Sequence, residues 1–334
     1  MVVDALSKKS ARNSPMMRSL LVLSIVAVLA MVLALAIGSV TIAPAQLWAV
    51  LQGEGSALHS TLLWDLRLPR TLAAFATGGL LAVAGALMQV LLRNPLADPY
   101  VLGLSGGAAV GALLAMLTGM GTFIISGSAF AGAMLATVLV FGLAQGTGSW
   151  TASRLLLTGV VVAAGWGALI TLMLALTPSY ELPGMLYWLM GDVSYARTPW
   201  PALLVLVFAI IVIMPLARNL NVLARGSMQA AALGVSVRPL EWTIYLIASL
   251  LTAAAVTTAG SIGFVGLIVP HMLRLVLGND QRVILPASAL AGGTLLVLAD
   301  TLARTIIAPE QLPVGVITAL LGVPTFLYLL HRSR

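Results

Sequence analysis

One carboxylate, Asp300, falls inside the long apolar runs of this 334-residue sequence, and Arg304 follows it by four positions. That spacing puts both side chains on one face of a helix, where they can pair. Ionisable groups within a bilayer are costly and often mark a transport path. Asp300 therefore has two readings, a partner for Arg304 or a functional group. Arg67 and Arg70 flank Leu68-Pro69. Proline fixes the local backbone and limits where the two guanidinium groups point. Arginines so placed either recognise carboxylates on a partner protein or snorkel at a helix end.

Other chemistry is missing. His59, His271 and His331 have no second histidine or carboxylate at metal-ligand spacing. His271 follows Pro270, where a helix kinks, and suits a capping or packing role. No Ser-His-Asp or paired-carboxylate arrangement is recognisable. Cysteine is absent, which excludes disulfides, thiolate metal sites and cysteine nucleophiles. The only lysines, Lys8 and Lys9, precede the first apolar run, and no Gly-x-x-x-x-Gly-Lys-Ser/Thr occurs. The chain is not expected to hydrolyse ATP or to act as an enzyme, and neither a metal nor a cofactor is expected.

The elements that position these residues are membrane helices. Hydrophobic residues make up 60% and charged residues 8%, against about 25% charged in a soluble domain. Such a chain cannot cover a water-facing surface, and the bilayer is the solvent that fits it. The net charge of +7 reflects topology rather than nucleic-acid binding. Ten apolar runs are long enough to cross: 19–40, 71–92, 100–117, 123–145, 155–177, 200–217, 242–259, 262–277, 284–303 and 314–331. The first is longer than a signal-peptide core and is followed by many like it. With the N-terminus inside, thirteen of the basic residues lie on inner segments and four, Arg67, Arg70, Arg197 and Arg304, on outer ones. That asymmetry predicts cytoplasmic N- and C-termini. The fold class is an all-α integral membrane protein, with a cytoplasmic tail over 1–18 and a single transmembrane domain over 19–332.

Gly103, Gly107 and Gly111 recur every four residues, a spacing that lets helix backbones approach closely in lipid. Gly78, Gly79 and Gly85, and Gly315 with Gly322, do so more loosely. Thr77, Gly79, Gly85, Leu92 and Arg93 are echoed 181 residues later by Thr258, Gly260, Gly266, Leu273 and Arg274, as in a duplicated transporter or by coincidence of composition. The longest inner loop, 217–239, favours a short helix over Met228–Leu233 between Gly226 and Gly234. It is either a docking element or a plain connection.

Nine motifs in order resemble the FecCD-type permease family, the membrane subunits of ABC importers for iron-siderophore complexes, haem and vitamin B12. They are Arg67-Leu68-Pro69-Arg70 with Gly78, Gly79, Gly85 and Gln89; Arg93-Asn94-Pro95-Leu96-Ala97-Asp98-Pro99; Leu102-Gly103; and Ser153 to Gly159. Further along come Tyr187 to Gly191, Leu220-Asn221 with Ala232 to Val235, Gly260 to His271, Ala299-Asp300 with Arg304, and Leu312 to Gly315. The resemblance covers 40–332. It implies a multi-pass permease of the bacterial cytoplasmic (inner) membrane, paired with a second copy of itself as a homodimer. Two cytoplasmic ATPase subunits and a periplasmic or other extracytoplasmic binding protein complete such an importer.

By position, the resemblance makes Arg67, Arg70 and Arg304 docking residues for the binding protein. Asn94, Leu96, Thr151, Ala152 and Ser153 match a cytoplasmic gate, where Ala152 departs from the family's small polar residues. Leu220, Asn221, Gly226, Ser227, Ala232, Leu233 and Gly234, within a coupling segment over 219–234, match the contact with the ATPase; many relatives carry Glu where this chain has Ser227. An iron chelate, haem or a ferric siderophore, is the expected cargo, with vitamin B12 the alternative. A secondary transporter driven by an ion gradient is the competing class. The scarcity of intramembrane carboxylates speaks against it.

Overall fold

The computed structural model describes residues 2–38, 40–145, 151–194, 196 and 198–332, with the side chains of 2–15, 152 and 332 left aside. The described residues are helical with no strand. In chain order the helices are α1 (Val2–Ala36), α2 (Pro44–Leu51), α3 (Ala57–Thr61), α4 (Leu68–Leu91), α5 (Leu104–Leu117), α6 (Thr122–Gln145), α7 (Ala152–Leu176) and α8 (Leu182–Met190). They continue with α9 (Trp200–Ile213), α10 (Ala217–Leu223), α11 (Ser227–Ala232), α12 (Val237–Ala259), α13 (Val265–Leu277), α14 (Gln281–Thr305) and α15 (Val314–Arg332).

Each of the ten apolar runs holds a helix. Eight helical stretches are long and apolar enough to cross a membrane; α5 and α13 are apolar but shorter. At 14 and 13 residues they reach about 20 Å, against a hydrocarbon core of about 30 Å. Both are short for the same reason: the first residues of the run are not α-helical. A 3₁₀ turn, Pro99–Leu102, precedes α5 and ends at Gly103, φ +73°. Residues 260–264 precede α13 in a non-helical path with Gly260 at φ +68° and Phe264 at φ +70°. The two breaks are joined, since the Ile262 amide donates to the Tyr100 hydroxyl at 3.2 Å. Irregular backbone at membrane depth is tolerated where protein buries it.

Helix α1 runs unbroken from Val2 through the expected tail into the first span, whose stretch long and apolar enough to cross is Met16–Ala36. A π-helical turn, Leu62–Arg67, joins α3 to α4. Pro69 explains it: proline cannot donate to a carbonyl one turn back, and the wider turn ends just before it. The buried centre is α4, whose residues apart from Arg70 and Gln89 are small or apolar on every side and are buried from Leu80 to Leu91 without exception. A helix apolar all round belongs inside a bundle. Around it pack α14, α12, α13 and α9.

Glycine makes that packing possible. A Cβ on Gly85 would lie 1.8 Å from the Gly266 carbonyl oxygen, and one on Gly78 2.2 Å from that of Gly292. Pro270 has no N–H to offer the Gly266 carbonyl, so that oxygen is left facing α4. Gly107 and Gly111 meet α6 in the same way, with a Cβ 2.4 and 2.1 Å from carbonyl oxygens of Gly132 and Ser128. Gly103 does not belong to that stripe; its positive φ makes the turn into α5. The 181-residue echo also divides: Thr77 and Thr258 both lie in helices, but Gly79 lies within α4 whereas Gly260 lies in the break after α12.

Candidate functional site

Residues that could do ionic chemistry gather at two faces. The face carrying α10 and α11 is called inner, following the arginine distribution. On the outer face a cavity of ≈540 Å³ is lined by Arg67, Arg70 and Arg304 together with Asp65, Ser194 and Gln311. The structure thus brings the three docking candidates to one place, but it also engages them internally. Arg67 donates to the carbonyls of Leu35 at 2.7 Å and Ala36 at 3.1 Å, and to that of Val40. Leu35 and Ala36 end α1, where carbonyls lack intrahelical donors and the helix dipole attracts a cation, and Val40 lies just beyond. Gly38 leaves the room: a Cβ there would sit 2.7 Å from Arg67 Nη2. Arg67 is only 6% exposed.

The expected Asp300–Arg304 pair is present, with Arg304 Nε 3.2 Å from Asp300 Oδ2 across one helical turn. The angle is too poor for a hydrogen bond, and Arg304 Nε has no other acceptor. Its Nη2 donates to the carbonyl of Ala34 at 3.2 Å and to Thr301 Oγ1 at 3.3 Å. Arg70, which spacing did not connect to Asp300, binds it more closely: Nη2 to Oδ1 at 2.8 Å, with Nε 3.0 and 3.1 Å from the two oxygens. Arg70 Nη1 reaches Gln311 Oε1 at 2.6 Å, and Nη2 lies 3.9 Å from Asp192. One buried carboxylate is held by two arginines, and α1, α4 and α14 are tied together. Of the three arginines lining the cavity, Arg70 is the least buried, with its side chain 12% exposed. Arg197, the fourth outer arginine, lies outside the described residues.

Three of the sequence motifs converge just below this cluster through backbone alone. The Asp192 amide donates to the Ala259 carbonyl at 2.8 Å and the Gly315 amide to that of Gly191 at 3.2 Å. A Cβ on Gly315 would fall 2.0 Å from the Met190 carbonyl, and one on Gly260 2.2 Å from that of Trp188. Gly191, Gly260 and Gly315 are therefore explained by close approach, whereas a Cβ on Gly263 would meet open space.

On the inner face, α11 forms where the loop's composition placed a helix. Gly226 and Gly234 bound it with positive φ. The Ala230 side chain is buried beneath it, while Met228 and Leu233 are 85% and 72% exposed. Leu220 is buried, and Asn221 anchors the segment: Nδ2 donates to Asp280 Oδ1 at 2.9 Å and Oδ1 accepts from the Gln281 amide at 2.7 Å. Hydrogen bonds from Arg282 hold the Asp280 carboxyl below the ordinary carboxylate range, with Asn221 assisting. Ser227 Oγ accepts from Arg93 Nη1 at 3.4 Å. Ala232 is exposed on the same short helix.

The gate candidates occupy helix ends. Asn94 Oδ1 accepts from the Leu96 amide at 2.9 Å, closing the turn after α4. Thr151 Oγ1 accepts from the Arg154 amide at 3.2 Å and caps α7. Ser153 is exposed; the Ala152 side chain is outside those described. No hydrogen bond or ion pair joins Asn94 and Leu96 to Thr151 or Ser153 among the described residues. A polar tie between α4 and α13 was not anticipated: Gln89 Nε2 donates to the Leu267 carbonyl at 3.0 Å, and Arg274 donates to Gln89 Oε1 and to the Ala86 carbonyl. Gln89 and Arg274 had been singled out, one by the resemblance and the other by the echo, but nothing in the spacing joined them.

A sequence model of the FecCD transport family matches residues 25–332. The vitamin B12 import system permease protein BtuC of Escherichia coli O9:H4 is 40% identical over 95% of this chain and 96% of its own length. The cobalamin import system permease protein BtuC of Halobacterium salinarum is 46% identical over 81% of this chain and 73% of its own length. Among solved structures, one described as a metal-chelate type ABC transporter in an inward-facing conformation aligns with a TM-score of 0.84. It shares 29% identity and covers 94% of this chain and 98% of its own.

Proposed function

The chain belongs to the FecCD transport family of ABC importer permeases, and from that premise we propose that it conducts a large metal chelate, vitamin B12 first, on ATP hydrolysed by a separate cytoplasmic subunit. The observation that carries the coupling is α11, a short helix between two positive-φ glycines that exposes Met228 and Leu233 on the inner face. A chain with no phosphate loop of its own has to receive the free energy of hydrolysis mechanically. A packed short helix suits that task, because packed elements shift as units between discrete states.

By the family resemblance alone an iron chelate comes ahead of vitamin B12. The names of relatives that match nearly the whole chain move vitamin B12 forward. An iron chelate stays as the second reading, supported by the likeness to a metal-chelate type transporter. Both are bulky metal complexes. Delivery by an extracytoplasmic binding protein follows from the importer type. Arg70 serves as the contact for its acidic side chains, with Arg67 and Arg304 as buried supports. Asn94, Leu96 and the 151–153 segment narrow the inner mouth. A second copy of the chain covers part of the apolar surface that the single chain exposes.

Titrating the purified importer and its binding protein with cobalamin, haem and a panel of ferric siderophores tests the cargo. Tight binding and ATP-dependent uptake are expected for cobalamin. Uptake of a siderophore or haem with none of cobalamin would replace the first reading by the second.

A further inference from the structure

A second cavity of ≈540 Å³ opens on the inner face beside α11, and four arginines line it: Arg93, Arg225, Arg274 and Arg282. They come from the end of α4, the α10–α11 link, α13 and the start of α14. One carboxylate, Asp280, lines it with them, and its oxygens are already taken by Arg282 and Asn221. Arg274 is turned inward onto Gln89. Arg93 and Arg225 are exposed. Arg93 makes only the long bond to Ser227, with Glu241 of α12 at electrostatic range. Gln281, 2% exposed, also lines the cavity and has no partner for its Oε1. The wall thus carries an excess of positive charge that the chain does not neutralise.

Arg225 immediately precedes Gly226, and Ser227, the first residue of α11, touches Arg93. Whatever docks on α11 therefore covers the mouth of this cavity. We propose that the cavity is the electrostatic half of the ATPase docking site, receiving acidic side chains of the cytoplasmic ATPase subunit while Met228 and Leu233 supply the apolar half. This rests on the coupling reading of α11. Guanidinium groups suit carboxylates through paired hydrogen bonds. Charges at a rim chiefly set the salt dependence and rate of association, whereas apolar anchors set its lifetime.

The test is the affinity of the full permease, in nanodiscs, for its ATPase subunit over a range of salt. Arg93→Gln with Arg225→Gln is expected to weaken binding about tenfold at low salt and to flatten the salt dependence. Met228→Ala with Leu233→Ala is expected to weaken binding with the salt dependence retained. Unchanged affinity and slope in the arginine variant, with loss in the apolar one, would overturn the inference and leave the coupling reading intact. Unchanged affinity in both would overturn the coupling reading as well. A phospholipid headgroup is the rival occupant. If the arginine variant binds the ATPase normally but loses an effect of anionic lipid seen in the parent, the cavity is a lipid site and the inference fails.

Discussion

Asp300 shows what residue spacing reveals and what it hides. Its pairing with Arg304 was legible because four residues make one helical turn. Its stronger partner, Arg70, lies 230 positions away, and only the packing of α4 on α14 brings the two together. The arginines likewise read as an outward-facing set, yet Arg67 and Arg304 are buried. A guanidinium with five donors satisfies helix-end carbonyls as readily as a partner's acid, and spacing does not separate the two uses. Removing the carboxylate leaves two arginines uncompensated, and breaking such a buried pair costs about 3–5 kcal/mol. Asp300→Asn is expected to lower the denaturation temperature of the purified permease strongly; a variant as stable as the parent would contradict the network. Asp280 gives a pH test. Its pKa is lowered on folding, so its contribution is present above the unfolded value of about 4 and is lost only as pH falls through the lower folded one. The stability difference between the parent and Asp280→Asn is expected to stay constant from pH 5 to 8 in thermal denaturation. A difference that changes across that window would assign the effect to another group.

All ten apolar runs were legible as helices because bilayer thickness fixes their length and composition. The two breaks were less so: Gly260 and Gly263 separate the seventh and eighth runs only weakly, and the 3₁₀ turn Pro99–Leu102 falls almost wholly inside the third run. Hydropathy reports depth, not hydrogen bonding; positive φ at Gly103 and Gly260 is where the helical pattern fails. The short helix α11 was legible from its bounding glycines. Which glycines touch a neighbour was only partly so, because contact depends on how the elements pack. Gly85→Ala puts a methyl against the Gly266 carbonyl, and overpacking of this kind costs about 1–3 kcal/mol. Gly142→Ala, on α6, meets open space and is expected to leave stability unchanged. Thermal denaturation of the two purified variants compares them directly. Equal stability would show that α4 and α13 are not held at the separation described.

At the scale of the whole molecule, the charged residues are sorted to two ends of an apolar bundle. The outer end joins α1, α4 and α14 through Asp300; the inner end presents α11 beside a basic cavity. Between them, α4 runs buried and glycine-packed against its neighbours; the proposed coupling requires this body to carry a movement at α11 to the outer cavity. Cargo was the least legible property, since no single residue in the sequence is diagnostic for it; the named relatives supply that direction. The most direct measurement is uptake of labelled cobalamin into vesicles holding the permease, with binding protein outside, with and without the ATPase subunit and ATP inside. The account predicts uptake that requires both the ATPase and ATP and is absent under a proton or sodium gradient alone. Uptake driven by such a gradient through the permease without the ATPase would contradict it.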